Sequence, residues 1–155
     1  MPDELLTLLA AMTPLGELRL SIPLGILKLD MAWPLVLALS VVGNLLPVPF
    51  LLGALGVAGR RMERMDNVLG SLLRWRTRSI EARWGDRIRR YGFPAIVLLV
   101  AIPLPLTGAW TGSLAVWALH VPAARGLMAI ATGVVIAGGI VMAATLAGIE
   151  LVKIL

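Results

Sequence analysis

The sequence predicts an all-α integral membrane protein. The expected plan is an inverted repeat of a re-entrant helical hairpin plus a transmembrane helix, with a basic amphipathic cytoplasmic segment between the copies. Three observations carry this prediction. Of the 155 residues, 59% are hydrophobic and only 15% charged, against about 25% charged in soluble domains. Two apolar runs are long enough to cross a bilayer, and two others are too short and break at proline and glycine. The arginines collect in one segment.

The first short run covers residues 5–12. At ~1.5 Å per residue it reaches about 12 Å, less than half of a ~30 Å hydrocarbon core. Thr13-Pro14-Leu15-Gly16 breaks it, and residues 20–29 run back towards Lys28 and Asp30, with Pro23 and Gly25 inside. A half-span, a break and a half-span back describe a re-entrant hairpin. Residues 31–59 are nearly uncharged and span with room to spare. Pro47 and Pro49 remove backbone donors there, so this helix should kink or unwind locally. Gly53, Gly56 and Gly59 are spaced for close packing.

Residues 60–92 form the basic segment. Ten arginines stand against Glu63, Asp66, Glu81 and Asp86, a balance of +6 in a chain of net charge +5. Met62, Met65, Leu69 and Leu72, then Ile80, Trp84 and Ile88, recur at helical spacing, which predicts one or two amphipathic helices on the membrane surface. Trp75, Trp84 and the arginines are expected as interfacial anchors. Residues 93–102 are again too short, about 15 Å. Pro103-Leu104-Pro105-Leu106-Thr107-Gly108 breaks them, and residues 109–119 return to His120, which is expected in water. Residues 126–148 form a last span rich in Gly and Ala, which suits close helix packing in lipid.

The two halves share one plan, and shifting residues 14–46 onto 105–137 aligns Pro14 with Pro105. The expected organisation is a single membrane domain over residues 1–155. Residues 1–59 are the first repeat, 60–92 the linker and 93–155 the second repeat. The positive-inside rule puts residues 60–92 in the cytoplasm. Both termini then lie outside, and the hairpins enter from opposite faces, an arrangement frequent in transporters with binding near the midplane. Asp3 and Glu4 replace the positive n-region of a signal peptide.

Several functions are excluded. There is no cysteine, hence no disulfide, thiolate metal site or cysteine nucleophile. The single histidine and scattered acids form no metal constellation. No phosphate loop or nucleophile elbow is present, so neither an enzyme nor a cofactor or ATP-driven pump is expected. Localised basic charge argues for a membrane surface rather than nucleic acid.

The polar residues at membrane depth are the candidates, because ionisable groups there are costly and usually functional. Glu17 and Arg19 follow the first break. They either bind substrate, proton or anion, or form a structural pair that satisfies broken backbone. Pro23 interrupts the returning limb. Pro103, Pro105, Thr107, Trp110 and Thr111 form the second tip, which is either a binding cluster or a tight turn with an interfacial tryptophan. Asn44 either glues helices together or lines a path.

These residues carry a resemblance. Thr13-Pro14-Leu15-Gly16-Glu17-Leu18-Arg19-Leu20-Ser21-Ile22-Pro23-Leu24-Gly25 resembles the Glu-x-Arg-x-x-Ile-Pro-x-Gly stretch of the small multidrug export protein family. Gly43-Asn44-Leu45-Leu46-Pro47-Val48-Pro49-Phe50 and the stretch from Ala101 to Gly112 are similar to two further motifs of that family, in the same order. Leu106 stands where the family usually has glycine, so a different local turn is expected there. The family is distantly similar to DedA-like membrane proteins with paired re-entrant loops. The resemblance implies a small exporter, and the expected function is a proton-coupled or facilitative secondary transporter of a small-molecule or lipid substrate, with Glu17 as the titrating carboxylate and Arg19 as its charge partner. A lipid-phosphate flippase or scramblase with Arg19 on the phosphate is the competing function, and a structural membrane module is a third. Two spans and two hairpins give a thin wall around any cavity, so a homodimer or larger homo-oligomer in contact with membrane lipids is expected.

Overall fold

The computed structural model describes residues 2–14, 16–102 and 107–154, without the side chains of residues 153 and 154. Every regular element among the described residues is helical. Helix α1 (Asp3–Met12) opens with Asp3 and Glu4 in its first turn, where acidic charge complements the helix dipole. Helix α2 (Glu17–Pro23) runs into a π-helical turn, Leu24–Lys28. Pro23 has no N–H to give the Arg19 carbonyl, and the wider turn begins directly after it.

The long helix after Asp30 runs over Trp33–Glu63, 31 residues. It consists of α3 (Trp33–Leu45), α4 (Pro47–Ala54), a π-helical turn over Leu55–Gly59, and α5 (Arg60–Glu63). The expected interruption at the prolines is confined to Leu46, whose N–H still reaches the Val42 carbonyl at 2.9 Å. The helix also continues past Gly59 into the first arginines, four residues further than the hydropathy suggests. Charge alone does not end a helix, since long arginines reach water from its last turn.

The basic segment is one main helix, α6 (Val68–Tyr91). Asn67 Oδ1 caps it by accepting from the Gly70 N–H at 2.8 Å, and Gly92 ends it with φ of 59°. Then follow α7 (Phe93–Ala101), α8 (Ala109–Ala118) and α9 (Ala123–Ile154). Helix α9 is long and apolar enough to cross a membrane over Ala123–Val152, as is the Trp33–Glu63 helix.

Helix α9 is the hub, packing on α7, α3, α8 and α2. The same order of contacts occurs in both halves: α1 and α2 pack on α3 as α7 and α8 pack on α9. Between helices in lipid, close packing of small residues supplies attraction that water exclusion cannot. Gly43 lets α3 approach the Leu8 carbonyl of α1, and Gly133 lets α9 approach Val100 of α7. Of the three glycines expected to pack closely in the first long helix, only Gly59 does so, against the Trp117 indole. Among the described residues nothing stands where a Cβ on Gly53 or Gly56 would be: Gly53 lies on the exposed face of Phe50 and Val57, and Gly56 on the wall of a cavity.

Candidate functional site at the junction of two helix breaks

The break between α1 and α2 and the break between α7 and α8 meet in the interior. Three hydrogen bonds join them across about ninety residues of chain. Glu17 Oε1 accepts from the Trp110 backbone N–H at 3.4 Å. Arg19 Nη2 donates to the Thr107 carbonyl at 2.6 Å. Trp110 Nε1 donates to the Met12 carbonyl, the last residue of α1, at 3.2 Å.

Each bond answers a local need. Helix α8 has no side-chain cap of its own, so its first N–H groups require an acceptor. The Glu17 carboxylate supplies it from the other half of the chain, at the positive end of the α8 dipole. Gly108 makes the approach possible. It precedes α8 with φ of 148°, and its Cα lies so close to the carboxylate that a Cβ would overlap it. Glu17 is itself in the left-handed region at φ 46° and is only 7% exposed. A non-glycine residue held there stores strain, about 1–3 kcal/mol, of the kind that clusters at functional positions.

Glu17 and Arg19 form no direct ion pair. Each serves the second break instead: the carboxylate takes backbone donors, and the guanidinium takes a backbone acceptor. Asn44 on α3, buried like Glu17, shares with it, Arg19, Thr107 and Gly108 a cavity of about 10 Å³. Its amide lies beside the carboxylate, yet neither its nitrogen nor its oxygen completes a hydrogen bond. Thr107 Oγ1 donates to the Ile102 carbonyl at 2.7 Å, which steadies the second break.

Thr111, one turn into α8, accepts from Arg76 Nη2 at 3.0 Å. Arg76 thus ties α6 to the second break, although the sequence marks it only as one anchor among ten. Burial, with a contribution from neighbouring Arg83, pulls its pKa below the usual arginine value. An arginine stays protonated even so. Pro23 lies beyond Arg19 and takes part in none of these bonds. Pro103, Pro105 and Leu106 lie outside the described residues. The Gly108 contact and the Met12 carbonyl are invisible in the sequence, since both depend on how the two breaks face each other.

A far larger cavity, about 790 Å³, lies elsewhere, beneath α6. Arg60, Glu63, Arg78, Glu81, Trp117 and His120 contribute to its wall. His120 is exposed, as expected, with φ of 55° after α8, and its Nε2 lies 3.1 Å from Arg60 Nη2. Arginine only donates, so that nitrogen accepts.

Among the described residues every regular element is helical, and two helices are long and apolar enough to cross a membrane in a chain of mean hydropathy +0.91. The chain belongs to the family described as "Putative small multi-drug export protein", whose model matches residues 17–140. The match begins at Glu17, directly after the first break, and runs through the second break as far as the middle of α9. No curated protein and no solved structure matches the chain.

Proposed function

We propose that this chain is a small secondary transporter whose coupling site is the junction of the two breaks. Glu17 is the titrating carboxylate, and Arg19, Asn44, Thr107, Trp110 and Thr111 shape the site around it. One observation carries the reading: two charged residues of the first half, Glu17 and Arg19, hold backbone of the second half across a junction closed on Gly108. Protonating Glu17 weakens its hold on the α8 N-terminus, so proton binding is linked to the contact between the halves.

In this reading α1–α2 and α7–α8 are re-entrant hairpins, and the chain is one membrane domain. Residues 1–59 and 93–155 are inverted repeats on either side of the basic segment. Both termini lie outside. The repeated order of helix contacts supports that plan. The cavity beneath α6 is the vestibule through which substrate reaches the junction from the cytoplasmic side. Its charges balance, Arg60 and Arg78 against Glu63 and Glu81, and the Trp117 face offers a cation–π surface to an amphiphilic cation. A second copy covers the outward face of Phe50, Gly53 and Val57 in a homodimer or larger assembly.

Flux into proteoliposomes tests this reading, with amphiphilic cations compared against polyprenyl and phospholipid phosphates under an imposed pH gradient. The expected result is gradient-driven movement of cations alone. Movement of lipid phosphates without dependence on the gradient would favour a flippase or scramblase.

A further inference from the structure

Ser21 and Ser40 are both fully buried, and neither hydroxyl has a hydrogen-bond partner. This is unusual for helical hydroxyls, which commonly bond back one turn. In this chain Ser113 bonds to the Ala109 carbonyl, Thr132 to Met128 and Thr145 to Val141. Buried polar groups without a partner are rare in native structures and commonly mark a place where water enters.

Their placement is ordered. Glu17, Ser21 and Gly25 follow at four-residue steps on α2 and its continuation, so they share a face. Val36, Ser40 and Asn44 do the same on α3. The helices pack on each other, with Gly25 against Val36 at one end and Glu17 sharing a cavity with Asn44 at the other. That antiparallel register sets Ser21 at the level of Ser40. Four polar atoms without hydrogen bonds therefore lie along one seam: the Ser21 and Ser40 hydroxyls and both polar atoms of the Asn44 amide. The seam leads from Glu17 towards the membrane face that carries Leu29 and Asp30. Val36, fully buried over Gly25, closes it one turn short of that face.

We infer that the α2–α3 seam is a water path by which protons reach Glu17 from the membrane face bearing Asp30, with Val36 as its gate. The inference rests on the reading of Glu17 as the titrating group. The ligand is water carrying a proton, held by the Ser21 and Ser40 hydroxyls and the Asn44 amide. A hydronium proton passes along the hydrogen-bonded waters to a Glu17 carboxylate oxygen, leaving water behind and a neutral carboxyl. No bond other than O–H forms or breaks. The charged group nearest Glu17 is Arg19 on its own helix. Helix α3 faces it with Asn44, α8 with backbone N–H groups, and α9 with Val134, Ala137 and Val141. Arg76 stands beyond Thr107 and Thr111.

The chain has no cysteine, so single cysteines report without background. The test is protection by silver ion, a small thiol-seeking cation, added on the Asp30 side of proteoliposomes and read by later maleimide labelling in detergent. Ser21→Cys and Ser40→Cys are expected to be protected, whereas Ile22→Cys and Ile130→Cys, equally buried in apolar surroundings, are not. Adding Val36→Ala should speed protection of Ser40→Cys by roughly tenfold, as expected for removing a closing group. If both serine positions stay as unreactive as Ile22→Cys even with Val36→Ala, the seam is dry and the inference is overturned. Gradient-driven flux separates it from the reading it rests on. Ser21→Ala combined with Ser40→Val should slow that flux several-fold without changing substrate binding. If Glu17→Gln abolishes the flux and the double serine variant does not slow it, protons reach Glu17 another way, and only the seam is overturned. If Glu17→Gln transports normally, the coupling reading falls and the proton path with it, while silver still reports whether the seam holds water.

Discussion

The Glu17 carboxylate packs directly against Gly108, with no room for a side chain at that glycine. This relationship joins residues that begin the second helix of one half and precede the corresponding helix of the other. It also makes Gly108 a sensitive position. Gly108→Ala should expel the carboxylate from the α8 N-terminus and force alanine into an unfavourable backbone conformation, at a cost of about 1–3 kcal/mol. Thermal unfolding in detergent should show the loss. Gly139→Ala, where a Cβ meets nothing, should leave the midpoint unchanged.

Trp110 contributes its indole N–H to the end of α1 and its backbone N–H to Glu17. Trp110→Phe keeps the flat ring and the second bond but removes the first. The Met12 carbonyl then loses its donor, a net destabilisation of about 1 kcal/mol. Hydrogen exchange should accelerate in the last turn of α1 while α9 stays protected.

The paired-hairpin reading makes a depth prediction. Spin labels on single cysteines at Leu9 and Leu27 should both lie shallower than one at Gly16. A steady change in depth from residue 5 to residue 29 would mean an ordinary crossing helix.

Membrane orientation gives a separate test. Cysteines at Asp3 and Ser79 should label from opposite sides of intact vesicles. Labelling from one side would end the inverted-repeat plan.

Much of the helical layout is legible in the sequence because it follows from length and punctuation. The two short apolar runs become α1 and α7, which end at Met12 and Ala101, and the two long runs become the two membrane-length helices. Glu17 and Arg19 stand out because charge at membrane depth needs a reason. Their partners do not stand out. That Arg19 bonds to the Thr107 carbonyl rather than to Glu17 depends on the facing of two breaks far apart in sequence. Arg76 is one of ten similar arginines, and only the rotation of α6 selects it for Thr111. Ser21 and Ser40 had a signal that spacing reveals, two four-residue ladders that end on Glu17 and Asn44. Small hydroxyls in apolar helices usually satisfy themselves on the preceding turn, so the ladders carry meaning only once those bonds are absent.

The central claim is that Glu17 couples proton binding to transport at the junction. Its most direct measurement is pH-gradient-driven flux of an amphiphilic cation in proteoliposomes containing wild type, Glu17→Gln or Arg19→Lys. Each variant is first matched to wild type in thermal stability, since breaking a buried charge interaction costs roughly 3–5 kcal/mol. Glu17→Gln should abolish gradient-driven flux and keep substrate binding, because the amide preserves shape but cannot titrate. Arg19→Lys should reduce flux less, since the ammonium keeps the charge and can still donate to the Thr107 carbonyl. Wild-type flux by a folded Glu17→Gln protein across the pH range would contradict the claim.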